Sequence, residues 1–263
     1  MSKLQFAVNI PPPSRYVSHD RVDDIANEIR KAFDTATNNN ADFIDVVLFV
    51  HEALNKDLVW RPIPEPEDRI CFASIDSVRI SLNEIHSSLF KSKPFILRSC
   101  LSHEIGHEVL GHLDLLSVDE NQGTLFESKP TSEIIFHDSR WSQFNLSRDE
   151  LRDVKNELAR QSFADPEIRE MLRTLEDKLE PEWMFYQAEQ FAACFLIPRD
   201  RLFDHLETGL DISKWPNIYK LAEIFGVSAS MMKVRLEKLK LIETDGKEVT
   251  LVRREIQGKL DSI

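Results

Sequence analysis

The sequence predicts an α+β fold, mainly helical, with a small antiparallel sheet and a helix-turn-helix/winged-like unit at its C-terminal end. Three observations predict it. Apolar residues recur at three- and four-residue steps, as in Val22, Ile25, Ala26, Ile29 and Phe33. Val78, Ile80 and Leu82 alternate with Arg79 and Ser81, the period of a half-buried strand. The charge balance also changes sign: the chain carries −12 in all, whereas residues 214–263 hold ten Lys and Arg against seven Asp and Glu, a net +3. These place a larger domain at 1–213 and a smaller one at 214–263.

Residues 1–17, with Pro11-Pro12-Pro13, begin as an irregular arm, and the first helix is expected over His19–Thr35, stopped by Asn38-Asn39-Asn40. Phe43–Leu54 reads as a second, more buried helix, and Pro62, Pro64 and Pro66 make an extended connector. Ile70–Ala73 and Val78–Leu82 are expected strands joined by a turn at Asp76-Ser77. Pro94 precedes a helical pattern over Phe95–Leu113, and Ile134-Ile135-Phe136 is a third candidate strand. Leu151–Phe163, Pro166–Leu179 and Pro181–Leu196 read as helices, the last ended by Pro198. Ile218–Phe225, the turn Gly226-Val227-Ser228 and Ser230–Leu241 read as helix, turn, helix. Asp245-Gly246 then separates two short apolar segments, Leu241–Glu243 and Val249–Val252, as in a hairpin.

Composition narrows the function. With 263 residues, 42% hydrophobic and 30% charged, the chain has the make-up of a folded, soluble protein with a sizeable core. Cys71, Cys100 and Cys194 are widely spaced, with no Cys-x-x-Cys pair, and read as reduced core thiols of a cytoplasmic protein. No secretory signal is visible, and the longest apolar run, Val46–Val50, is too short to cross a membrane. A net charge of −12 argues against a protein that coats nucleic acid.

The chemistry concentrates at His103-Glu104-Ile105-Gly106-His107. On a helix, residues four apart share a face, so both imidazoles can reach one ion. Glu104 stands beside the pair as the base of a metal-assisted hydrolysis, and Gly106 leaves one flank bare for close approach. A peptidase-type site, a structural zinc and an accidental histidine pair are the three readings; the apolar setting of Leu101, Val109 and Leu110 argues against the last. The longer HExxHxxGxxH pattern fails, because Leu110 and Leu113 stand where glycine and histidine would be required. The third ligand must therefore come from elsewhere. Glu189, a carboxylate among small and apolar residues, is the first choice and Glu182 the second; a solvated helix glutamate is the bland alternative. His112 is better placed as a neighbour of the site than as a ligand, and Asp114 or Asp119 can orient a ligating imidazole. Tyr186, His112 and His137 are candidates for the acid or oxyanion role.

Two segments together resemble the ImmA/IrrE family of zinc-dependent metallopeptidases. One is Phe95–Leu110 with its His103–His107 core; the other is Phe191-Ala192-Ala193-Cys194-Phe195-Leu196-Ile197-Pro198. Leu221–Ser228 and Arg235–Leu239 are similar to the helical segment that often follows, so the likeness spans about 95–240 in patches. The resemblance implies a zincin-like, cytoplasmic, zinc-dependent endopeptidase that cuts a DNA-binding repressor of a phage, mobile element or stress regulon. His103 and His107 would be zinc ligands and Glu104 the base. The family usually places a glutamate six residues before the signature phenylalanine, where this chain has Phe185, and an asparagine or aspartate two before it, where this chain has Glu189. A degenerate relative that binds a partner without cutting it is one alternative function; a DNA-binding transcription regulator with a vestigial metal site is another.

In the C-terminal unit Lys233, Arg235, Lys238 and Lys240 make the second helix locally basic, and Ser228 is placed to cap it. A groove-reading helix and a packing module are both open; Glu223, Glu237 and Glu243 dilute the basic face, so direct DNA contact through 214–263 is not favoured.

Overall fold

Ser18 opens helix α1 (His19–Thr37), its hydroxyl accepting the Arg21 amide, and Asn38 closes it in the left-handed conformation at φ 52°. The computed structural model describes residues 17–65, 70–114, 134–138, 183–245 and 248–252. Within them follow α2 (Val46–Leu48), which continues into a π-helical turn at Phe49–Ala53, then β1 (Asp57–Arg61), β2 (Ile70–Ile75) and β3 (Arg79–Asn83). After these come α3 (Ser87–Ser92), α4 (Pro94–Val109), β4 (Ile134–Asp138) and a helix over 183–196, here α5. The remainder is α6 (Arg199–Glu207), α7 (Trp215–Phe225), α8 (Ala229–Lys238), β5 (Ile242–Asp245) and β6 (Glu248–Leu251). The expected helices at 151–163 and 166–179 lie outside the described residues, as do Glu182 and Asp119. Among the described residues, no helix is long and apolar enough to cross a membrane.

The four-stranded sheet runs β1-β3-β2-β4. It is mixed rather than antiparallel: β2 pairs antiparallel with both β3 and β4, but β1 pairs parallel with β3. Strand β1 is an addition to the expected elements. Its core, Leu58-Val59-Trp60, does not alternate, and Trp60 is exposed, so it offered no period-two signal. The expected half-buried pattern of β3 also gives way, since Ser81 is buried along with Ile80 and Leu82. A central strand is covered on both faces, and the Ser81 hydroxyl finds a donor in Arg61 Nε at 2.8 Å.

The long helix expected at 43–54 is broken into α2 and its π-helical turn. Asp45 caps α2 by accepting the Leu48 amide at 2.9 Å. The turn places Phe49 against Phe33 (centroids 5.0 Å apart) and Phe195 (4.9 Å), and Phe195 stacks on Phe191. These edge and stacked contacts knit α1, the π turn and α5 into one core. Helix α6, which the sequence reading did not anticipate, starts directly after Pro198 and buries Leu202 and Leu206.

The same core runs on through 214–252: Ile218, Leu221, Phe225, Met232, Leu236, Leu241 and Ile242 are buried in it. Two buried arginines fasten this end of the chain. Arg235 of α8 makes a two-pronged ion pair with Asp23 of α1 (2.6 and 3.2 Å) and donates to the Ile197 carbonyl at 3.1 Å. Arg98 of α4 donates to the Ile44, Phe225 and Gly226 carbonyls, and its guanidinium lies 3.6 Å from the Phe43 ring centroid. Burial lowers its pKa to about 10, still far above neutrality. Gly226 ends α7 at φ 64°, and a Cβ there would meet the Phe43 ring at 2.7 Å, so glycine is required on both counts.

Candidate metal centre

Helix α4 is buried on nearly every side, and this brings the histidines into the molecule. One side packs on the sheet through β2. The other meets α5 at Gly106, where an added Cβ would stand 3.0 Å from the Ala188 Cα and carbonyl oxygen and 3.2 Å from Phe191 Cβ. The flank that Gly106 leaves bare is therefore occupied by α5 itself, at Ala188 and at Phe191, the first residue of the second signature. Two segments far apart in sequence touch because glycine at 106 and alanine at 188 let backbone meet backbone there.

That crossing fixes the site. His103 and His107 have their Nε2 atoms 3.0 Å apart, both rings buried, and Glu104 between them in sequence is wholly buried. Two nitrogens each about 2.0–2.1 Å from a tetrahedral zinc stand about 3.3 Å apart, so the pair is spaced as two ligands of one ion are. The chain of rings continues. His107 Nδ1 lies 2.9 Å from His112 Nδ1, His112 Nε2 lies 3.3 Å from Gln187 Oε1, and Gln187 Nε2 donates to the Val17 carbonyl at 3.3 Å. His112 reaches this position because α4 ends at Leu110 and Gly111 turns the chain at φ 70°. The expected helix to Leu113 is thus interrupted, and His112 faces back toward His107.

Burial keeps all three rings neutral. It lowers the His103 pKa to about 3 and the His112 pKa to about 4, and pushes His107 well below its ordinary value, the neighbouring imidazoles adding to the effect on His103 and His107. Neutral imidazole is the metal-binding form.

Helix α5 supplies the walls. Phe185 stacks on His103 (centroids 5.8 Å, 23°) and meets His107 edge-on at 5.4 Å, and Trp183 meets His112 edge-on at 5.4 Å. Position 185, where the resemblance places a glutamate, therefore does touch both histidines, with an aromatic ring in place of a carboxylate. Glu189, the first choice for third ligand, is exposed on this helix. Among the described residues, no three His, Cys, Asp or Glu side chains are grouped to hold an ion. Of the remaining candidates, Asp114 is exposed. Tyr186 is partly exposed, with its hydroxyl accepting from Lys238 Nζ at 3.1 Å. His137 sits in β4 opposite Cys71.

Sequence reasoning missed Gln187, Phe185 and Trp183 as partners of the histidines. Gln187 had a signal: Met184, Gln187, Ala188, Phe191 and Phe195 form one buried stripe, and an amide on such a stripe needs a hydrogen-bond partner.

The basic residues of α8 are engaged within the molecule. Arg235 is in the buried pair with Asp23, Lys233 is 3.0 Å from Glu237, and Lys238 lies over Tyr186.

Comparison with protein families gives a match at residues 163–237 to the Peptidase_M78 model, described as the IrrE N-terminal-like domain. The matched stretch contains α5, with Ala188 and Phe191, and reaches α8; His103–His107 precede it. No curated protein and no solved structure matches the chain. The match supports a metallopeptidase-type protein.

Proposed function

From the premise that this match supports assignment to the ImmA/IrrE family, we propose that the chain is a zinc-dependent endopeptidase that cuts a specific regulatory protein, such as a DNA-binding repressor. The observation that carries this reading is the His103–His107 pair, Nε2 atoms 3.0 Å apart and neutral, beside the buried Glu104. The donor set fits zinc as far as two ligands go. His103 and His107 would hold the ion, and the third ligand would be Glu189, brought in by a turn of its side chain, or Glu182, which stands three residues before Phe185 in sequence.

Bound there, zinc supplies Lewis-acid polarisation of the scissile carbonyl and lowers the pKa of a water. Glu104 takes the proton of the attacking water and passes it to the leaving amine. Phe185 and Trp183 keep bulk water from the imidazoles, which strengthens every charge interaction inside. The protein acts in the cytoplasm, in keeping with its three buried cysteine thiols. Direct DNA contact is disfavoured, because Arg235 is buried against Asp23 and Lys233 is paired with Glu237.

Phe185 favours a second reading, in which the chain binds zinc and its partner protein without cutting it. An aromatic ring against both histidines takes the place a ligating carboxylate would need. The two readings separate when zinc-loaded protein is incubated with candidate DNA-binding regulators and fragments are read by mass spectrometry. The first predicts cleavage that disappears in Glu104→Gln while one zinc per chain is retained. Stable complexes with intact regulators in both proteins support the second.

A further inference from the structure

The Val17 carbonyl can only accept a hydrogen bond, and that single fact propagates through the site. Gln187 Nε2 faces it at 3.3 Å, so the amide is held with its oxygen toward His112. An amide oxygen cannot donate, so His112 carries its proton on Nε2. A neutral His112 then has a lone pair on Nδ1, and the nitrogen 2.9 Å away, His107 Nδ1, must be the donor. His107 is left with its lone pair on Nε2, the nitrogen that stands 3.0 Å from His103 Nε2. Every donor in this series meets an acceptor, and reversing any ring or the amide places two donors or two acceptors face to face.

We infer that His112 and Gln187 are positioning residues, which, anchored on the Val17 carbonyl at the entry to α1, lock His107 in the Nδ1–H tautomer and aim its Nε2 lone pair at the metal position. The inference rests on the zinc-holding role proposed above. It adds a mechanism by which residues 75 positions apart and a backbone group of the N-terminal segment set the strength of that site. His112 and Gln187 are themselves held, His112 by the edge of Trp183 and Gln187 by its burial in the α4–α5 crossing. Partners of a ligating imidazole fix its orientation and raise its basicity, and their loss typically weakens metal binding about 10- to 100-fold.

The test uses the full-length chain. Side-chain 15N–1H correlation spectra of the zinc-free protein report each tautomer. His107 is expected as Nδ1–H and His112 as Nε2–H, and Gln187→Met is expected to return both rings toward a tautomer mixture. Zinc affinity, read by competition with a chromophoric chelator, should fall about 10- to 100-fold in Gln187→Met and in His112→Phe, with stoichiometry unchanged. His107 observed as Nε2–H in the wild type overturns the inference, as does wild-type zinc affinity in Gln187→Met. Failure of the wild type to bind zinc strikes the metal reading instead, while the tautomer spectra still decide the relay.

Discussion

The crossing of α4 with α5 and the docking of α8 on α1 are both buried polar junctions, but they are built on opposite principles. At the first, neutral groups hand one hydrogen bond to the next, from Val17 through Gln187 and His112 to His107, over a contact that only Gly106 and Ala188 make close enough. At the second, a full charge pair, Arg235 with Asp23, is closed by the Ile197 carbonyl. The neutral junction ends on a pair of imidazole nitrogens suited to a cation. The charged junction is complete within the chain and takes Arg235 out of the basic face of α8. The difference shows why two clusters that look alike in sequence, one of histidines and one of lysines and arginines, do different work.

Breaking the charged junction should have the largest effect. Arg235→Ala leaves the buried Asp23 carboxylate with the Asn27 amide at 3.2 Å and Arg199 at 4.0 Å, and is expected to cost about 3–5 kcal/mol in urea unfolding. Arg235→Met combined with Asp23→Leu should recover most of that loss, because no charge is left buried without a partner. If the double variant is as unstable as the single, the pair is not what holds α8.

The neutral junction should break sterically. Gly106→Ala places a methyl group 3.0 Å from the Ala188 backbone, and overpacking of this kind costs about 1–3 kcal/mol. The same change should weaken zinc binding by separating the α4 histidines from Phe185 and Gln187, measured by chelator competition. Unchanged stability and affinity would mean that the crossing yields without cost.

Acid should distinguish the two junctions again. The folded-state pKa values of His103 and His112 are lowered to about 3 and 4, from an ordinary 6.5, and His107 is lowered in the same direction. The unfolded chain therefore binds protons that the folded chain refuses. The stability of the zinc-free protein should be full above about pH 6.5 and fall as the pH drops toward 4. Urea midpoints at pH 7.5 and 5 measure this, and the difference should shrink in His112→Asn, which removes one of the three rings. An unaltered difference would assign the acid sensitivity to other groups.

The smallest effect is expected on the outer face of α8. Lys233→Ala with Lys238→Ala should change stability by no more than about 0.5 kcal/mol, since exposed pairs contribute little. Any duplex DNA affinity of the full chain should also stay unchanged. A several-fold, salt-dependent loss would instead give that face a phosphate-contacting role.

Much of this was legible in the sequence. The periodicity of α1, the punctuation by Asn38, Gly226 and Pro198, and a strand at Ile134-Ile135-Phe136 came from local rules, because capping and turn chemistry act over a few residues. The histidine pair was legible because helical spacing is rigid. What escaped depended on tertiary packing. Strand β1 is an exposed edge without alternation. The fate of Arg235 is set by Asp23, more than two hundred residues away. His112 was expected beside the site, but the turn at Gly111 that brings it back to His107 was not. Glu189 reads as a buried carboxylate from its neighbours, yet it is exposed, and Phe185, one helical turn earlier on α5, meets the histidines. Which turn of α5 lies against the site is set by how the helices pack along their length, and the surrounding sequence does not encode it.

The central claim is that His103 and His107 hold one zinc ion. Its most direct test is the zinc content of purified, zinc-reconstituted protein, with X-ray absorption at the zinc edge to count imidazole ligands. The account predicts one zinc per chain with at least two imidazoles, lost in His103→Ala and in His107→Ala and retained in Glu104→Gln. Zinc bound equally well by both alanine variants, or no zinc bound by the wild type, would contradict it.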